Sequence, residues 1–143
     1  MKKAEFLPSL YTHNAIIDAQ HQELINTINK LYEAIDSGKG ADEAKNALAF
    51  LMQYTVFHFG GEEKLMQEDK YPLYTEHKAA HDAFVETVKG LYQKLMEEGA
   101  TSGFADQVEQ EITHWLIVHI KGMDLKMIEW KNHRSGNQMD NLM

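Results

Sequence analysis

Apolar residues recur along the chain at intervals of three and four, the period of an α-helix that buries one face. A first such stretch follows Asp18, read as its N-cap. It carries Leu24, Ile25, Ile28, Leu31, Tyr32 and Ile35 before Ser37-Gly38-Lys39-Gly40 ends it. A second stretch, about 41–67, places Leu48, Leu51, Met52, Phe59, Leu65 and Met66 on its stripe. Gly60 and Gly61 lie inside it, each unfavourable by about 1 kcal/mol relative to alanine in a helix. The segment from Glu68 to Pro72 breaks the pattern, and Pro72 suits the first turn of a following helix. The third stretch, about 73–98, turns Phe84, Val85, Val88, Leu91, Tyr92 and Leu95 inward, and residues 99–103 interrupt it. The fourth, about 104–131, carries Val108, Ile112, Trp115, Leu116, Ile120, Met123 and Met127. Residues 133–143 are polar and aperiodic and read as a C-terminal tail, leaving 1–132 as the folded domain.

Four amphipathic helices with short connections predict an all-α fold, an antiparallel up-down-up-down four-helix bundle. The chain of 143 residues fits one domain and is long enough to bury a core without covalent staples. It contains no cysteine, which excludes disulfides, thiolate metal sites and thiol nucleophiles. The start of the chain lacks the apolar stretch of a signal peptide, and no run is long enough to span a membrane, so a cytoplasmic location is expected. A formal charge of −8 argues against nucleic acid as a partner. A protein partner or a homo-oligomer stays open.

Bundles build metal sites from side chains on facing helices, and the eight histidines gain meaning from where they fall. The first helix carries Asp18-Ala19-Gln20-His21, and the second His58 and Glu62, four apart. The third carries His77 and His81, also four apart, and the fourth His119 and Asp124, five apart. Residues four apart share a helical face. Five residues turn an α-helix about 140° past the starting face, so the fourth helix is expected to loosen between His119 and Asp124, as a π-bulge would allow. All seven side chains lie on or beside the apolar stripes, and burying them without a metal would be costly. Five imidazoles and two carboxylates exceed what one ion takes. Shared between two ions with both carboxylates bridging, they give one ion three histidines and the other two. Two divalent cations then carry more charge than two carboxylates neutralise, which favours anionic ligands. Imidazole suits iron, copper and zinc rather than magnesium or calcium.

The runs Asp18 to His21, His58 to Glu63, His77 to His81 and Trp115 to Asp124 stand in the order of the hemerythrin pattern. The chain therefore resembles the bacterial hemerythrins. That resemblance implies two iron ions (Fe2+/Fe3+) with an oxo or hydroxo bridge. It implies one iron on His77, His81 and His119, the other on His21 and His58, with Glu62 and Asp124 bridging. It further implies that dioxygen binds reversibly to the two-His iron, which keeps an open position, in a carrier, store or sensor rather than an enzyme. Rival readings are a di-iron oxidase, peroxidase or nitric-oxide-handling enzyme, or a signalling module that reports oxygen to a partner. A site with only two carboxylates leans away from the enzymes.

Trp115 and Leu116, four and three positions before His119, read both as ordinary core and as walls of the oxygen pocket. Phe6, His13, Asn14 and the Gly60-Gly61 pair depart from what relatives carry, and they bear on access to the site. His13, His114 and His133 are expected at the surface, and Tyr54, Tyr71 and Tyr74 are given no role.

Overall fold

The structure, a computed structural model, describes residues 3–37 and 41–142, with side chains for all of these except residues 41 and 134–142. The predicted break at Gly38-Lys39-Gly40 lies outside the described residues. Among the described residues, a 3-10 turn, Pro8–Leu10, precedes four long helices. These are α1 (Ala15–Asp36), α2 (Ala41–Glu68), α3 (Tyr74–Glu98) and α4, a continuous helical run over 102–142. Helix α4 is interrupted by two π-helical segments, Glu109–His114 and Ile120–Asp124. It continues to Leu142, past the end that its apolar periodicity predicts.

Helix α1 begins three residues before Asp18. Its N-cap is Asn14, whose side chain accepts from the Ile17 N–H at 3.1 Å. The carboxylate of Asp18 instead faces back along the chain. It accepts from the Thr12 N–H and hydroxyl at 2.8 Å each and from the His13 N–H at 3.0 Å. This clamp holds His13 in the left-handed region at φ 68°. Further upstream, the buried Asn29 amide exchanges hydrogen bonds with both backbone groups of Ala4, at 2.8 and 2.9 Å. The N-terminal segment is thus tied along α1, and Phe6 packs against the core and the ring of Tyr11.

Two apolar clusters fill the interior. The larger gathers Leu24, Ile28, Leu48, Phe84, Leu95, Phe104 and Ile112 among others, and the smaller gathers Ile17, Met66, Tyr71, Met127 and Ile128. A fully buried aliphatic side chain such as Ile28 or Leu31 contributes about 1.5–3 kcal/mol. Going up the sequence, α1 passes from the smaller cluster to the larger, α2 from larger to smaller, α3 back to the larger and α4 again to the smaller. That alternation is the antiparallel up-down-up-down bundle. Helix α2 packs between α1 and α3, and α4 closes the bundle against both α1 and α3. Tyr32 on α1 shares a short hydrogen bond with Thr113 on α4. The Trp130 indole donates to the Asp69 carbonyl at 2.9 Å, tying α4 to the α2–α3 turn. On every helix the predicted ligand residues lie near where one cluster gives way to the other.

Candidate metal centre

His21, His58, Glu62, His77, His81, His119 and Asp124 are all buried, and the structure brings them into two overlapping groups. One group is His77, His81 and His119 with Glu62 and Asp124. The other is His21 and His58 with the same two carboxylates. The carboxylates divide their oxygens between the groups. Glu62 Oε1 lies 3.1 Å from His81 Nε2, while its Oε2 lies 3.1 Å from His58 Nε2 and 3.4 Å from His21 Nε2. Asp124 Oδ1 lies 3.0 Å from His77 Nε2 and 3.2 Å from His119 Nε2, while its Oδ2 lies 3.0 Å from His21 Nε2. Within the first group, His119 Nε2 is 3.1 Å from the Nε2 atoms of both His77 and His81.

The i,i+4 pairs meet because ordinary helix geometry stacks them. The five-residue step from His119 to Asp124 works because Ile120–Asp124 is π-helical. One extra residue per turn brings the carboxylate back under the histidine. The 3-10 turn Pro8–Leu10 packs on this segment. The second π segment, Glu109–His114, has no counterpart in the sequence pattern.

Many polar atoms of the set are unmatched. His21 Nδ1 and Nε2, His58 Nε2, both Glu62 oxygens and Asp124 Oδ2 are buried with no hydrogen-bond partner. Such atoms are costly to leave unmatched, and cations placed between them would satisfy them. The electrostatics agree. Burial and the nearby Asp124 push the Glu62 carboxyl up, but His58 and His21 outweigh them and hold it below the usual carboxylate range. Asp124 is pushed up by burial too, yet His119, His21 and His77 keep it well below that range. Burial works to lower the His21 pKa, but Asp124 and Glu62 raise it to about 9. A proton on His21 stands where a cation fits.

Outer partners fix the rings. The His58 Nδ1–H donates to Gln20 Oε1 at 2.6 Å, and the His81 Nδ1–H donates to Glu63 Oε2 at 3.0 Å. Phe59 stacks flat on His81, with centroids 3.8 Å apart and planes 4° apart. Trp115 stacks on His119 at 4.5 Å and 11°, backed by Phe84 at 4.1 Å. Trp115 therefore plates the three-His half, and Leu116 is buried within the larger cluster. Gln20, Phe59 and Glu63 lie inside the sequence runs quoted above but carried no assigned role there. His13, His114 and His133 are exposed, and Gly60 and Gly61 face outward from α2.

Residues 12–130 match the family described as the hemerythrin HHE cation binding domain. The chain is 38% identical over 110 residues to a myohemerythrin of Riftia pachyptila, covering 77% of this chain and 78% of that protein. It is 30% identical over 124 residues to a bacteriohemerythrin of Pseudomonas aeruginosa, covering 87% of this chain and 78% of that one. Among solved structures, a hemerythrin carrying a single leucine-to-tyrosine substitution superposes with a TM-score of 0.76 at 27% identity, over 87% of this chain and 94% of the other. With the family match running through nearly all of the bundle and these relatives agreeing along most of the chain, the protein belongs to the hemerythrin family.

Proposed function

We infer that the chain is a non-haem di-iron protein that binds dioxygen reversibly, as a carrier, store or sensor. The observation that carries this reading is the division of the two buried carboxylates, each with one oxygen toward the His77, His81 and His119 group and the other toward the His21 and His58 group. His77, His81 and His119 would hold one iron, and His21 and His58 the other. Glu62 and Asp124 would bridge them, beside an oxo or hydroxo group. When bound, the irons would supply the electrons that dioxygen takes up on binding and returns on release.

The chain's own residues select the site and protect it. With one histidine fewer, the second position keeps room for an outside ligand. Leu24 and Leu116, each three residues from a ligand histidine, and Ile120, next to His119, are buried in the apolar cluster and exclude water from the centre. We assign Leu116 to the wall of the oxygen pocket and Trp115 to the plate over the three-His position. A site of five histidines and only two carboxylates favours binding over catalysis. Among the described residues no helix is long and apolar enough to cross a membrane. The compartment we propose is the cytoplasm, whose reducing conditions suit a chain without cysteines.

An oxygen electrode tests the reading. Anaerobically iron-loaded protein is expected to take up one dioxygen per iron pair and to give it back under argon. Oxygen consumption that continues past that stoichiometry would instead mark an oxidase.

A further inference from the structure

Two ligand histidines have outer partners of different charge, one on each side of the centre. Behind His58 stands the neutral amide of Gln20, and behind His81 stands the carboxylate of Glu63. In both rings Nε2 points inward, so Nδ1 carries the proton and donates. A carboxylate acceptor makes a charge-assisted bond, roughly twice as strong as a neutral one, and it raises the donor strength of the opposite ring nitrogen.

Orientation alone does not require this charge. Phe59 already fixes the plane of His81 by lying flat against it at 3.8 Å. Glu63 also differs from the ligand beside it in sequence. Glu62 is fully buried, whereas the Glu63 side chain is 20% exposed. It lines a cavity of about 400 Å³ between α2 and α3, floored by Phe59, Val56 and Val85. The open side of that cavity spares the carboxylate the cost of full burial, while its Oε2 stays 3.0 Å from the ligand ring.

We propose that Glu63 is a charged positioning residue for the metal pair. Through His81 it makes the three-His position the tighter of the two and stabilises the ferric state of the ion held there. Gln20 fixes His58 without adding charge, which leaves the two-His position the weaker and more easily reduced. This rests on the di-iron reading above.

The test is an anaerobic Fe2+ titration against a chromophoric chelator, with the midpoint potential of the loaded protein, in wild type, Glu63→Gln and Gln20→Glu. Wild type is expected to fill in two steps. Glu63→Gln keeps a hydrogen-bond acceptor but removes the charge. It should weaken the tighter step about 10–100-fold, leave the weaker step in place and raise the midpoint potential. Gln20→Glu should tighten the weaker step. Wild-type affinity and potential in Glu63→Gln would overturn the proposal, as would equal weakening of both steps or a wild type that fills in one step. The metal-free melting temperature of Glu63→Gln, expected to match wild type, separates this from general damage. A wild type that cannot take two irons would instead sink the di-iron reading itself.

Discussion

Glu62 and His114 mark the contrast between a residue proposed to hold the centre and one that only resembles a ligand. Both oxygens of Glu62 are buried and lack hydrogen-bond partners, and each faces a different histidine group. His114 is exposed on α4. Glu62→Ala is expected to lose the paired site and His114→Ala to keep it, as read by iron content after loading and desalting. Two irons retained by Glu62→Ala would contradict the bridging role. His21 gives a second test at this scale. Burial lowers its pKa, but Asp124 and Glu62 lift it to about 9 in the metal-free protein. The folded value lies above the unfolded one, so this stabilisation is complete below about pH 6.5. It is lost as pH rises through about 9. Asp124 and Glu62 are shifted the other way, so their contribution is present above the ordinary carboxylate range and lost in acid. The metal-free melting temperature should therefore fall between pH 6.5 and 9. A rise across that window would show that another group governs stability.

At the level of elements, the centre was legible because its residue types conflict with their positions. Histidines and acids on an apolar stripe need a reason, and a step of five residues on a helix needs a distortion. The structure supplies that distortion as the π segment Ile120–Asp124. Other features left no such conflict. The π segment Glu109–His114 interrupts an ordinary apolar period and cannot be read from it. Asp18 has the composition of an N-cap, yet the cap is Asn14, and the reason lies in Thr12 and His13, which fold back onto the Asp18 carboxylate. The extension of α4 to Leu142 is likewise hidden, because that segment shows no apolar stripe. Gly60 and Gly61 lie between His58 and Glu62, yet both face outward, and an added Cβ on either meets nothing within 4 Å. Gly61→Ala is therefore expected to stabilise the metal-free protein by about 0.5–1 kcal/mol. That is a rise of a few degrees in melting temperature by circular dichroism. A drop would mean that the backbone of α2 needs glycine there.

Across the whole molecule, the bundle gathers a costly buried polar set at one level between two apolar clusters. Metal-free, that level holds unmatched lone pairs and a proton on His21. Loaded, it becomes the cross-link among all four helices. Metal should thus stabilise the fold by mass action, about 2.7 kcal/mol at a free concentration one hundred times the Kd. Thermal melts with Fe2+ under argon should shift upward and return on adding chelator. An unchanged melt would mean that the four helices do not meet at a shared ion. The halves of the centre also differ, since the three-His half is plated by Phe59 and Trp115. In the proposed di-iron reading, that asymmetry would make the plated half the anchor and leave the other half for an incoming ligand. The most direct test is the optical spectrum of anaerobically iron-loaded protein, recorded before air is admitted, after, and again once oxygen is removed. The account predicts a colourless ferrous form that gains a visible band in air and loses it on deoxygenation. Immediate and permanent conversion to a ferric spectrum would contradict reversible oxygen binding while leaving the di-iron centre in place.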